Sequence, residues 1–179
     1  MVQKASEAVM KRASQGLEEL SCNRVQSSSA KTYEEAAIEQ LRASGLRVTG
    51  PRIQVVRALS KSNRALSAYQ IHEKIRAARA KADVVSVYRV LRTLVELGLV
   101  HHIGVVDGYF ACRKAGKHGA KTQHLVCRDC GCVLELSVPP ASAAGFGAQA
   151  ADAGFETEEI RIEVLGTCEH CRANSGSSG

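Results

Sequence analysis

Two cysteine pairs carry the plainest chemistry in this chain: Cys127 and Cys130 in "HLVCRDCG", and Cys168 and Cys171 in "TCEHC". Each CxxC offers two thiolates from one tight turn, and two such turns can close a single tetrahedral four-sulfur site. Zinc suits that position, because it is redox-inert and accepts four thiolates without keeping an open coordination place. The competing reading is two unrelated pairs of reduced thiols, or redox dithiols. Cys132, two residues past Cys130 on the opposite strand face, is expected to stand apart, as are the isolated Cys22 and Cys112. A closed all-sulfur site leaves no place for a substrate, and no Glu stands in an HExxH frame, so no enzyme is expected. Seven cysteines without an export signal fit a reducing, cytoplasmic compartment better than a disulfide framework.

These thiolates need elements to position them. Over "TYEEAAIEQLRASG" the residues Ala37, Ile38 and Leu41 share one face, and Gly45 ends the pattern, which predicts an amphipathic helix. "TGPRIQVVRALSKS" predicts a second helix, with Thr49 as cap, Pro51 in the first turn and Ile53, Val56 and Leu59 inward. "SAYQIHEKIRAARA" predicts a third, capped by Ser67 with Ile71 and Ile75 buried. "DVVSVYRVLRTLVELG" predicts a fourth, burying Val87, Val90, Leu91, Leu94 and Leu97. The period then changes from 3.6 to 2 in "LVHHIGVVDGYFAC", a hairpin with Asp-Gly as its turn. Short helices followed by a hairpin outline a winged helix-turn-helix. After the polar "AGKHGAKTQ" comes a strand over "HLVCRDCGCVLELSV", a small-residue helix entered through Pro139 and Pro140, and a strand over "ETEEIRIEVLGTC". On that last strand Glu159, Arg161 and Glu163 share the face opposite Ile160, Ile162 and Val164.

The fold class is therefore α+β. The expected domains are an N-terminal extension over 1–32, a winged-helix DNA-binding domain over 33–112, a hinge over 113–123, a small α/β dimerisation domain over 124–172, and a tail over 173–179. Charge divides along the same line: residues 1–112 hold 17 Lys/Arg against 10 Asp/Glu, and residues 113–179 hold 7 against 8. A basic half joined to a near-neutral half suits a polyanion-binding part fused to an assembly or sensing part. The chain is 45% hydrophobic but only 4% aromatic, so its core must be aliphatic. No apolar run approaches the roughly 20 residues of a membrane span, and no membrane partner is expected.

"RVTGPR", "LSAYQI", "SVYRVLRTLVELGLVHHI" and "HLVCRDCG…CEHC", in that order, resemble the ferric uptake regulator (Fur) family of metal-sensing repressors, over roughly residues 33 to 172. The resemblance implies a homodimer, with winged-helix domains on double-stranded DNA and α/β domains paired through their sheets. It also implies a regulatory metal at the hinge. Here His101, Cys112, His118 and Glu135 resemble the ligand set of the zinc uptake regulator branch, and His124 competes with His118 for the fourth place. A Cys where iron sensors carry a Glu tilts such a site toward zinc, since thiolate is the softer ligand. Ile160 stands where the pattern of some relatives wants a third-site His. His72, His102 and His170 read as surface or satisfied side chains.

On the DNA side the fourth helix is the recognition helix, with Ser86, Tyr88, Arg89 and Arg92 as its polar candidates. By resemblance Arg89 reads a purine, Tyr69 is a second base-reading residue, and Tyr88 stacks or meets the backbone; Arg47 and Arg52 anchor phosphates. The expectation is a zinc-responsive repressor of zinc-uptake genes that binds a palindromic operator as a dimer. An iron, manganese or peroxide sensor of the same family, or a zinc/thiol redox switch, is the rival reading.

Overall fold

The computed structural model describes residues 27–113 and 122–175. Helix α1 (Ser27–Ala43) begins inside the stretch expected to be extension. Tyr33, Ala37 and Leu41, four residues apart, form its buried stripe. It ends where Leu46 N–H donates to Leu41 O at 3.0 Å and Gly45 takes φ +69°, a conformation that favours glycine. Helix α2 (Gly50–Ser60) carries Pro51 in its first turn and buries Val55, Val56 and Leu59, so Val55 takes the place expected for Ile53. Helix α3 (Ala68–Ala77) starts in a capping box: Ser67 Oγ accepts from Gln70 N and the Gln70 side chain accepts from Ser67 N. In α4 (Val84–Glu96) the cap is Asp83, which accepts from Ser86 N at 2.8 Å. Its inward face is Val87, Val90, Leu91 and Leu94, while Leu99 rather than Leu97 closes the stripe.

Strands β1 (Val100–Ile103) and β2 (Gly108–Ala111) make the wing, with Val100 opposite Ala111 and Ile103 opposite Gly108. The turn is four residues long: a 3-10 turn over Gly104–Val106, then Asp107 at φ +45°. The expected two-residue Asp-Gly turn is not formed, because Gly108 is needed in the strand. A Cβ there would come within 2.9 Å of the Ala65 Cβ, where Leu66 and Tyr109 exchange main-chain hydrogen bonds.

The C-terminal unit holds β3 (Thr122–Cys127), β4 (Val133–Ser137), α5 (Pro140–Asp152), β5 (Ile162–Gly166) and α6 (Glu169–Ser175). Its sheet runs β4-β3-β5, with β4 antiparallel and β5 parallel to β3. The single first strand expected from the sequence is thus a hairpin, folded back around the first cysteine pair with Gly131 at φ +70°.

The large apolar cluster lies among α1–α4 and the wing. A second, small cluster of Ile103, Phe110, Val126 and Val133, with Ala65 against it, joins the wing to the C-terminal sheet. Main-chain bonds reinforce that seam: Ala65 N–H donates to Gly131 O and Val133 N–H to Asn63 O. Helix α5 buries no side chain, so the C-terminal unit has too little apolar core to stand without a further cross-link. Among the described residues, no helix is long and apolar enough to cross a membrane.

Candidate metal centres and nucleic-acid interface

Parallel pairing of β5 with β3 sets Cys127 opposite Gly166, so the segment leaving β5 returns to the knuckle after β3. Cys127, Cys130, Cys168 and Cys171 each offer a sulfur within 4.8 Å of the others. Cys130 and Cys168 sulfurs lie 3.8 Å apart, and Cys168 N–H donates to Cys127 Sγ at 3.3 Å. Burial would lift the Cys127 thiol, but amides of Cys130, Cys168 and Asp129 outweigh it and bring it down to about 6. The Cys171 thiol is pushed up, first by its hydrogen bond with Cys168 and then by burial. Cys130 is pushed up by burial first. Four sulfurs this close cannot all ionise alone; a cation among them relieves the conflict, and the donor set fits a closed tetrahedral metal centre. Cys132 is disulfide-bonded and so is no fifth ligand.

The second group spans the seam. His101 lies on β1, Cys112 just past β2 and Glu135 on β4, with ligand atoms within 4.8 Å of one another. The Glu135 carboxylate, its side chain 1% exposed, sits 3.7 Å from His101 Nε2. It accepts from the Cys112 thiol at 3.8 Å and from Arg113 N–H at 2.9 Å. His124, on β3, lies against His101, with ring centroids 4.5 Å apart and the rings tilted at 55°. The Nε2 atoms of both rings are buried without a hydrogen-bond partner among the described residues. Burial, with the Glu135 charge opposing it, holds His101 below the ordinary imidazole value. Burial and then His101 itself push His124 to about 4. Both imidazoles are therefore neutral near pH 7 and able to offer a lone pair, so this donor set also fits a metal ion. His118 lies outside the described residues. His102, His72 and His170 are engaged elsewhere, with Asp107, the Ala82 carbonyl and Asn174 respectively.

Two side chains at this seam were not singled out by the sequence. The Arg113 guanidinium donates to the carbonyls of Ser60 and Ser62 at the end of α2 and covers the Phe110 ring, 5.2 Å from its centre. Glu163 accepts from Gly104 N–H and Val105 N–H in the wing turn. Adjacency to Cys112 was a signal for Arg113; alternation with charged neighbours hid Glu163.

On the opposite end of the winged-helix half, Tyr69 is 63% and Tyr88 53% exposed, and Arg89 is exposed beside Tyr88. Ser86 turns inward on the cap, its hydroxyl donating to Asp83 at 2.6 Å. Arg92 pairs with Glu96 at 3.0 Å. Arg52 donates to the Arg47 carbonyl, which fixes the loop that presents the exposed Arg47 side chain. The exposed Tyr69, Tyr88, Arg89 and Arg47 are of the residue types that meet polyanions.

The sequence model of the Ferric uptake regulator family matches residues 43–165. A zinc uptake regulation protein of Mycobacterium tuberculosis is 30% identical over 132 residues, which cover 73% of this chain and 98% of that relative. A zinc uptake regulation protein of Escherichia coli is 30% identical over 126 residues, covering 70% and 73%. A ferric uptake regulation protein of Neisseria gonorrhoeae is 29% identical over 139 residues, covering 76% and 93%. Among solved structures, a zinc uptake regulator complexed with zinc and DNA matches with a TM-score of 0.74 at 26% identity, over 82% of this chain and 97% of that one.

Proposed function

Since this chain belongs to the ferric uptake regulator family, we propose that it is a zinc-responsive transcriptional repressor, binding palindromic operator DNA as a homodimer when its hinge site is filled and silencing zinc-uptake genes. The observation that carries this reading is the group His101, Cys112 and Glu135, gathered from both sides of the seam between the two halves. Ligands from two bodies make metal affinity and interdomain angle one equilibrium, so metal and operator affinity are linked. Cys112 tilts the site to zinc over ferrous iron or manganese, because a thiolate is a softer donor than a carboxylate. His124 or His118 completes the set; the neutral Nε2 of His124, without a hydrogen-bond partner among the described residues, favours His124. Zinc would supply a redox-inert cross-link at each centre: a permanent one at Cys127, Cys130, Cys168 and Cys171, and an exchangeable one at the hinge. Arg89, Tyr88 and Tyr69 then read the operator, with Arg47 and Arg52 on phosphates and Arg92 and Ser86 at the margin.

The test is Cys112→Ser in the full-length protein, read by operator binding against buffered zinc. Serine stays protonated near neutral pH and is a poor zinc ligand. The expected outcome is a folded dimer with one retained zinc per chain and at least about a hundred-fold weaker zinc-dependent operator binding. A variant that still responds fully to zinc, or a native protein that responds to iron or manganese and not to zinc, refutes the assignment.

A further inference from the structure

The wing has an unusual occupation. Residues 100–112 contain no Lys or Arg, and the tip exposes Val105 and Val106, so the hairpin offers no permanent cation to a phosphate. Its turn is engaged instead by the other half of the molecule. Gly104 and Val105 open the 3-10 turn, and the amides that open a helical turn have no partner within it. Glu163, at the second position of β5, accepts from both, at 3.0 Å and 2.9 Å. A carboxylate accepting two amides makes a charge-assisted pair of bonds, roughly twice as strong as neutral ones.

We propose that Glu163 is a positioning residue for DNA binding: a latch that fastens the wing turn to the dimerisation sheet and sets how much zinc the protein needs to reach its operator-binding angle. The latch and the hinge site both bear on strand β1. Strand β1 carries His101 at its second position and ends at Ile103, one residue before the latched turn. The other end of that strand follows α4 directly, with Leu99 N–H donating to Leu94 O. Holding the turn therefore holds β1, and β1 holds the recognition helix. The latch favours the same interdomain angle as hinge metal, so it lowers the metal concentration at which that angle dominates; because Glu163 also lies opposite His124 across the β3–β5 pair, amide exchange in the wing turn, rather than the zinc shift alone, reports the latch.

This inference rests on the zinc-repressor reading, and its test separates the two. Native protein, Glu163→Gln and Glu163→Ala are compared as full-length dimers, on a duplex that the native protein selects from random-sequence DNA. Two quantities are read: operator binding against buffered zinc, and hydrogen exchange of the Gly104 and Val105 amides in the metal-stripped hinge state. Both variants are expected to raise the half-saturating zinc concentration about ten-fold, with operator affinity at saturating zinc within about two-fold of native. Both amides should lose protection. Glutamine keeps the size but turns an NH2 donor on two donors, so Glu163→Gln carries the test if the alanine variant does not fold. Native half-saturation together with native amide protection overturns the latch. If the native protein binds the duplex without any zinc requirement, the zinc reading fails. The latch is then decided by amide exchange and operator affinity alone: both reduced support it, both unchanged overturn it.

Discussion

At the scale of single residues the four cysteines are the clearest case, because a ligand's identity and spacing are visible in a sequence even when its surroundings are not. The spacing of the two CxxC pairs was enough to expect Cys127, Cys130, Cys168 and Cys171 in one place, and their sulfurs do lie together. The state of each thiol was not legible. That Cys127 is drawn down to about 6, against its burial, depends on the main-chain amides that point at its sulfur, and that Cys171 is driven up depends first on its hydrogen bond with Cys168 and then on burial. The same holds at the hinge: the resemblance named His101, Cys112 and Glu135, yet the Nε2 of His124, without a hydrogen-bond partner among the described residues, depends on burial that no spacing encodes. The small core of the C-terminal unit makes its four thiolates decisive, since a structural zinc contributes about 10–16 kcal/mol of folding free energy. Cys168→Ser should remove one zinc per chain and unfold residues 122–175, while α1–α4 keep their helical signal on their own apolar cluster. Elemental analysis with circular dichroism and limited proteolysis would check this. A variant with native zinc content and a native melting curve would refute the four-sulfur centre.

Element by element, local chemistry decided what could be foreseen. Ser67 was legible as a cap because Gln70 stands three residues on, and the reciprocal bonds are made. The wing turn was misjudged because the Asp-Gly signal is local, whereas the demand for glycine at 108 comes from Ala65, which is 43 positions away along the chain and only 2.9 Å from the missing Cβ. The β3–β4 hairpin was missed for a related reason, since the metal knuckle replaces the usual turn residues. One helix end is visibly unoptimised. After α3, Ala80 N–H donates to Ile75 O, the same closing bond found after α1 and α4, but the left-handed position holds Arg79 at φ +56° in place of glycine. A non-glycine residue there costs roughly 1–2 kcal/mol, and glycine returns part of that as unfolded-state entropy. Arg79→Gly should therefore raise stability by about 0.5–1 kcal/mol and the melting temperature by about 2–5 °C in calorimetry. A lower melting temperature would mean that the exposed Arg79 side chain makes a contact more valuable than the strain it carries.

For the whole molecule, the uneven charge and the seam between halves make two separable demands on function. On the proposed reading the seam sets when the protein can bind: His101, Cys112, Glu135 and Glu163 would all act on the angle between the halves, and their variants should move the zinc requirement. The basic face sets how binding, once allowed, depends on salt. Arg47 belongs to the second group only, because it lies in the loop before α2, remote from both metal centres along the chain, and its main chain is already held by Arg52. Each phosphate neutralised contributes about 0.9 to the slope of log affinity against log salt, and a twofold dimer places Arg47 on two phosphates. Arg47→Ala should thus weaken operator binding at low salt, reduce that slope by about 1.8, and leave the half-saturating zinc concentration at its native value. Titrating one duplex across salt concentration at saturating zinc, and across zinc at fixed salt, places every variant on these two axes. Arg47→Ala must move along the salt axis alone and Cys112→Ser along the zinc axis alone. If Arg47→Ala also shifts the zinc requirement, the DNA face is part of the hinge equilibrium and the division between reading and gating fails.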